Sequence, residues 1–278
     1  MISIWQEMFS YSFMVRAIIV GSAVALCSAL LGVSLVLKRY SMIGDGLSHV
    51  GFGALSIAMA MNLAPLQVAV PVVVVAAFFL LRISQNSKIK GDAAIALISS
   101  TSIAIGVTVT SLTTGLNADI NSYMFGSILA MTKNDVNISI VLSAVVFILF
   151  VVFYDRIFAT TFDENFAKAT GVKVELYNML IAFLTAITIV LGMRIMGTML
   201  ISSLIIFPAL TSMRVFNSFK SVIISAGFVS VVCFFIGMTL SFLYSLPAGA
   251  SVVIVNAVVF ILFSLIGWVT KRIKKDCP

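Results

Sequence analysis

Two side chains that can bind a metal ion stand four residues apart in the chain, Asp45 and His49. His49 is the only histidine in the protein. Residues at i and i+4 share one face of a helix, so the carboxylate and the imidazole are predicted to be neighbours. Carboxylate oxygen and imidazole nitrogen are suitable ligands for zinc, manganese and ferrous iron. The pair is therefore a candidate site for a divalent transition metal.

Both residues fall in an apolar run that follows Lys38 and Arg39. At 1.5 Å per residue, His49 is expected roughly 15 Å from Arg39, near the middle of a ~30 Å hydrocarbon core. Among the acidic residues, Asp45 alone is predicted to lie well inside a membrane span. Ionisable side chains at that depth are costly and usually mark a transport path. The alternative is that Asp45 and His49 only pair with each other and hold helices together.

Two protein ligands are too few for a tetrahedral metal site. A two-fold dimer would bring the Asp45 and His49 side chains of two chains together around its axis. The small residues that flank the pair are Gly44, Gly46, Gly51 and Gly53. Such residues allow a close approach of backbones at an interface, around a pore or in ordinary helix packing. The sequence thus predicts half of a metal site, completed by a second copy of the chain.

The composition indicates that this pair lies in an all-α, polytopic integral membrane protein. Hydrophobic residues make up 61% of the 278 positions and charged residues 10%, whereas a soluble domain carries about 25% charged residues. The apolar runs are long enough to cross a bilayer, and lipid forces such runs into helices. The net charge of +7 comes from basic residues at span ends, where anionic headgroups explain them, so no nucleic-acid partner is predicted.

Nine apolar runs are predicted to span the membrane, or eight if one is re-entrant, in a single domain over residues 1–278. The runs are about 13–37, 41–61, 65–82, 93–113, 136–153, 176–193, 196–213, 222–243 and 250–270. The apolar stretch Tyr123–Met131 is too short to cross and is expected to lie on the surface or to re-enter. With Lys38 and Arg39 inside, most of the 17 basic residues are cytoplasmic, which places the C-terminus in the cytoplasm.

Five motifs, in order, resemble the permeases of bacterial ATP-binding-cassette importers for zinc, manganese or iron, and the likeness covers nearly the whole chain. The motifs are VLKRYSMIGDGLSHVGFGALSIA (36–58), SYMFGSILAMTKND (122–135), FDENFAKATGV (162–172), GTMLISSLIIFPALTSMRV (197–215) and PAGASVVIVNAVVFIL (247–262). The resemblance implies a homodimer in the bacterial plasma membrane, two cytoplasmic ATP-binding subunits and a separate extracytoplasmic metal-binding protein. It also implies that Asp45 and His49 take part in metal passage.

The third motif is similar to the loop that docks onto the ATPase subunit in this family. The docking residues that this likeness implies are Phe162, Asp163, Glu164, Ala167 and Gly171. The local pattern suits a short helix, because acidic residues begin it, Lys168 lies near its end, and Gly171 is a candidate C-cap. Without the resemblance, the stretch would be taken as a solvated loop.

The chain has no GxxxxGK[ST] phosphate loop, so it is not expected to hydrolyse ATP itself. Energy must come from a partner subunit or from an ion gradient. A proton-coupled secondary metal transporter is therefore the alternative, although it needs a relay of ionisable residues and the chain offers one pair. An intramembrane hydrolase would need an HExxH motif or a second catalytic carboxylate, and neither is present.

No permanently bound cofactor is predicted, and the divalent metal is the cargo. In the manganese branch of the family a proline often follows the histidine by a few residues. Here the residues after His49 are Val50-Gly51-Phe52-Gly53-Ala54, without proline. This difference favours zinc over manganese or iron.

Overall fold

The computed structural model describes residues 2–86, 91–113, 126, 133–198 and 201–276. Within these ranges the chain is helical and contains no strand, as the composition predicts. The short apolar stretch Tyr123–Met131 and most of the second motif lie outside the described residues. The structure therefore bears on the other four motifs.

The described residues form twelve helices that follow one another along the chain. They are α1 (Ile2–Ser10), α2 (Ser12–Leu37), α3 (Ile43–Ala60), α4 (Pro65–Asn86), α5 (Gly91–Leu112), α6 (Lys133–Val152), α7 (Tyr154–Phe162), α8 (Glu164–Ala169), α9 (Val174–Met196), α10 (Ile201–Met213), α11 (Phe219–Tyr244) and α12 (Ala248–Asp276). The sequence did not predict α1. This helix packs onto the bundle, since Met8 is fully buried and the Trp5 ring stacks 4.9 Å from the Phe235 ring.

Among the described residues, seven helices are long and apolar enough to cross a membrane, namely α2, α4, α5, α6, α9, α11 and α12. The predicted second span corresponds to α3, an 18-residue helix that is less apolar because it contains Asp45 and His49. The predicted seventh span corresponds to α10, which has 13 residues and is only about 20 Å long. The total of eight or nine spans stays a prediction.

The predicted start of the seventh span near Met196 is wrong, because Met196 still belongs to α9. The helix ends at Gly197, whose φ of +84° is a conformation that side-chain-bearing residues rarely adopt. The backbone therefore turns between α9 and α10 at a glycine.

The helix that carries the candidate metal ligands, α3, packs mainly against α5 and α4 and also contacts α9 and α10. Gly46 and Gly53 face α5, where a Cβ on Gly53 would lie 2.9 Å from the backbone oxygen of Ser102. Gly44 faces α10, and Gly51 faces α9. These glycines are helix-packing positions, because each one lets a neighbouring helix approach the backbone of α3 closely.

One end of the bundle, which we call the basic end, contains α7, α8 and the turns that precede α3 and α11. Contacts between these segments hold it together. Lys38 Nζ lies 2.6 Å from Glu164 Oε1, and the Tyr154 ring lies 5.7 Å from the Phe219 ring. The described basic residues of this end include Lys38, Arg39, Arg156, Lys168, Lys173, Arg214 and Lys220.

Candidate metal site and docking helix

The candidate ligands are neighbours on one face of α3, as their spacing predicts. His49 Nε2 lies 3.6 Å from Asp45 Oδ2. This distance is longer than a good hydrogen bond, so a third atom can lie between the two atoms and bind both of them. The side chains are 14% exposed for His49 and 36% exposed for Asp45. The pair therefore opens to one side of a helix that is otherwise largely buried.

Asp45 lies nearer to the end of its helix than the sequence predicted. Helix α3 begins at Ile43, which places Asp45 in the first turn and His49 one turn further along. The partial positive charge of a helix N-terminus stabilises a carboxylate in the first turn. His49 therefore lies further along the helix than Asp45, and the depth of the pair within the membrane stays a prediction.

The described part of the chain contains no group of three or more His, Cys, Asp or Glu side chains close enough to hold a metal ion. At the position of Asp45 and His49, one chain offers one carboxylate and one imidazole. These two ligand types are the ones that zinc and manganese accept in proteins.

The predicted docking segment folds into α8, and its N-terminus is capped by a side chain. Asp163 has an extended backbone with φ of −149°. Its Oδ1 accepts hydrogen bonds from the backbone N–H of Asn165 at 2.9 Å and of Phe166 at 3.0 Å. An aspartate in this position satisfies helix N–H groups that otherwise lack a partner. Asp163 thus fixes where the docking helix begins.

The C-terminus of α8 is closed by Gly171. Its φ is +83°, and its N–H donates to the carbonyl of Lys168 at 3.0 Å. The N–H of Val172 donates to the carbonyl of Ala167 at 2.9 Å. This pair of hydrogen bonds is a Schellman motif, which ends helices at a left-handed residue. The predicted C-cap is therefore confirmed.

Glu164 is bound to the bundle by two side chains. Its Oε1 accepts from Lys38 Nζ at 2.6 Å and from Asn178 Nδ2 at 3.1 Å, and Lys38 Nζ also donates to Asn178 Oδ1 at 2.6 Å. Partial burial raises the pKa of Glu164, but hydrogen bonds from Lys38 and Asn178 and the charges of Lys38 and Lys168 lower it more. The net pKa of Glu164 lies below its ordinary value.

Two exposed aromatic side chains flank Asp163, Phe162 at the end of α7 and Phe166 in α8. Phe162 is 58% exposed and Phe166 is 65% exposed, whereas Ala167 is fully buried against Val172 and Val174. The residues assigned from the sequence therefore differ in position, because Phe162 and Asp163 face outward while Ala167 faces the protein. Phe166 was missed, and its spacing from Phe162 does not indicate a shared helix face, because Phe162 ends α7 and the extended Asp163 separates it from α8.

The fold defines a class of protein, a helical membrane protein of the permease type. The chain belongs to the ABC 3 transport family, whose profile matches residues 10–267. Seven apolar spans and this membership make it a multi-pass protein of the bacterial inner membrane. The family consists of transport subunits that do not carry the ATPase.

Similar proteins include transport subunits named for two different metals. The manganese transport system membrane protein MntC of Listeria monocytogenes is 27% identical, over 92% of this chain and 91% of that protein. The high-affinity zinc uptake system membrane protein ZnuB of Haemophilus influenzae is also 27% identical, over 91% of this chain and 97% of that protein. These names do not specifically favour zinc.

A solved structure, PsaBC from Streptococcus pneumoniae in complex with Fab, contains a chain that is 28% identical to this one. The two superpose with a TM-score of 0.85, and the match covers 95% of each chain. The arrangement of helices in the permease is therefore that of an ABC transporter membrane subunit.

Proposed function

We propose that this permease is the membrane-spanning subunit of an ATP-driven importer for a divalent transition metal, manganese or zinc. The observation that carries the proposal is the Asp45–His49 pair, 3.6 Å apart and open on one face of α3. Relatives named for manganese and for zinc transport match this chain over almost their whole length and support the same class of cargo. The two ligand types suit both ions, so the metal itself is a matter for competition experiments.

The ion passes between two copies of the chain in this proposal. One chain supplies a carboxylate and an imidazole, and a two-fold axis beside α3 doubles this set to four ligands. The exposure of Asp45, 36% in the single chain, leaves its carboxylate accessible from the side where the second copy would lie. A homodimer thereby completes a four-coordinate site of nitrogen and oxygen ligands.

The energy comes from cytoplasmic ATP-binding subunits that dock on α8. The exposed rings of Phe162 and Phe166 supply the apolar contact, since aromatic side chains are enriched at the centres of protein interfaces. The network of Glu164, Lys38 and Asn178 connects α8 to the turn that leads into α3. Movement of the docking helix is thereby transmitted towards Asp45 and His49. A separate metal-binding protein delivers the ion at the opposite end of the bundle.

Uptake of a radioactive metal into vesicles tests the function. The vesicles contain the permease, its ATP-binding subunits and the metal-binding protein, and uptake should require ATP. Asp45→Asn should abolish uptake while the complex still assembles, because the amide is a far weaker ligand than the carboxylate. The matched control is Glu175→Gln, an exposed acidic residue in the first turn of α9, which should retain uptake.

Two results contradict the proposal. The first is normal uptake by the Asp45→Asn variant. The second is uptake by the permease alone when a pH gradient is applied without ATP or ATP-binding subunits, which would instead support proton-coupled transport.

A further inference from the structure

A groove of about 660 Å³ opens between α2, α6 and α11. Its walls are apolar and include Leu26 and Leu30 of α2, Phe150 of α6, and Ile224 and Phe228 of α11. The volume is typical of a ligand-sized pocket. The groove lies on helices that are themselves candidate spans, so it faces the acyl chains of the bilayer.

The floor of the groove is formed at Gly227. A Cβ on Gly227 would meet Leu26 Cδ1 at 2.9 Å and no other atom within 4 Å. The absence of a side chain there leaves space beside α2. Lys220 and Phe228 are about 12 Å apart along α11, since each residue rises 1.5 Å. The groove thus reaches most of the way through one half of a ~30 Å hydrocarbon core.

Polar groups stand only at one end of the groove, which is the basic end of the bundle. Tyr154, Asp155 and Lys220 line this mouth. Asp155 follows the end of α6 and Lys220 is in the first turn of α11, so both lie at the depth of lipid headgroups. Neither Asp155 nor Lys220 belongs to an ion pair within 4 Å among the described residues, unlike Lys38 with Glu164 and His49 with Asp45.

We infer that this groove binds a zwitterionic phospholipid with a primary ammonium group, of the phosphatidylethanolamine type. An acyl chain fills the apolar groove down to Gly227. The phosphate lies against Lys220 and the ammonium against Asp155, which leaves neither mouth charge without a counter-charge. Tyr154 lies beside the headgroup, as amphipathic aromatic side chains do at the membrane–water interface.

A second copy of the chain fits the groove less well. The proposed function places that copy elsewhere, because its two-fold axis runs beside α3, which packs mainly on α5 and α4. An apolar chain with a charged head, entering from the bilayer, matches both the walls and the mouth.

Native mass spectrometry of the purified permease tests the inference. After delipidation, phosphatidylethanolamine, phosphatidylcholine and phosphatidylglycerol with the same acyl chains are added back separately. Phosphatidylethanolamine should bind best. Lys220→Ala and Asp155→Ala should each weaken its binding about fivefold, the usual effect of one charge near a membrane surface. Lys173→Ala, which removes an exposed cation of the basic end outside the groove, should bind normally.

The second arm of the test fills the groove with a larger side chain. Gly227→Leu should remove the specific lipid signal. If this variant fails to fold, Ile224→Trp should have the same effect, since Ile224 lies at the rim of the groove and is 63% exposed. Unchanged lipid binding in the filled variant would overturn the inference. Equal binding of the three lipids would also overturn the inference. The same holds if a variant with a filled groove no longer forms dimers but still binds the lipid. Because no metal or ATP is present, the outcome is independent of the proposed transport function.

Discussion

Lys38 Nζ and Glu164 Oε1 lie 2.6 Å apart although 126 residues separate them in the chain. The contact joins the last turn before α3 to the docking helix α8, and Asn178 of α9 binds both partners. Lys38 is deeply buried, with 6% of its side chain exposed, whereas 41% of the Glu164 side chain is exposed. Loss of the Glu164 charge should therefore affect Lys38 more than loss of the Lys38 charge affects Glu164.

Removing the carboxylate should cost more stability than removing the ammonium group. Glu164→Gln leaves a buried cation without a counter-charge and should destabilise the permease by about 2 kcal/mol. Lys38→Met leaves a carboxylate that water can reach and should cost about 1 kcal/mol. Thermal unfolding in detergent measures both, and the double variant should lose less than the sum of the two. A larger loss for Lys38→Met, or strict additivity, contradicts this account.

The same pair predicts a dependence on pH. The pKa of Glu164 is lowered in the folded protein from its ordinary value of 4.5. A depressed carboxyl pKa stabilises the folded state above the ordinary value, and the stabilisation disappears as the pH falls through the lower folded pKa. The stability difference between wild type and Glu164→Gln should therefore be full at pH 7 and should shrink on acidification below about pH 4. A constant difference would show that the charge plays no part.

The cap of the docking helix should matter for assembly. Asp163→Ala removes the acceptor for the N–H groups of Asn165 and Phe166 and should cost about 1 kcal/mol. In a six-residue helix that loss should fray the element on which we propose that the ATPase docks, so less ATPase should co-purify. Asp163→Asn keeps a capping oxygen and serves as the control. Equal loss in both variants would mean that the charge of Asp163, not its cap, is what the partner needs.

The exposed aromatic face of α8 predicts where the ATPase makes contact. Phe166→Ala should weaken association of the ATP-binding subunit at least about tenfold without lowering the stability of the permease, because the ring is 65% exposed. Phe79→Ala removes the same side chain at 61% exposure from the span α4 and should leave association unchanged. Binding in detergent, followed by the amount of ATPase that co-elutes, distinguishes the two. If the Phe166 variant co-elutes with normal amounts of ATPase, docking occurs on another surface.

Local patterns in the sequence were sufficient for the features that depend on nearby residues. The spacing of Asp45 and His49 placed them on one helix face, and Asp163 and Gly171 were placed at the two ends of α8 because capping depends on side chains within a few residues.

Features that depend on residues far apart in the chain could not be predicted from the sequence. The partner of Glu164 could not be predicted, since Lys38 is 126 residues away and only the packing of α2 and of α8 against α9 brings it close. The role of Gly53 also depends on a distant helix, because the backbone of Ser102 is what fills the space beside it. The start of α3 at Ile43, two residues after the predicted start of the apolar run, was missed because hydrophobicity marks an apolar run without marking where the helix begins.

The central claim is that two copies of the chain share one metal ion between their Asp45 and His49 side chains. The most direct measurement is the metal content of the purified homodimer, titrated with manganese or zinc and measured by elemental analysis and X-ray absorption. We expect one tightly bound ion per two chains, with nitrogen and oxygen ligands. Asp45→Asn and His49→Gln should each lower the affinity of the dimer for this ion by more than about 100-fold. That loss exceeds the effect of removing a residue that only hydrogen-bonds to a metal-binding side chain. Full occupancy in either variant, or one ion per chain, would contradict the claim.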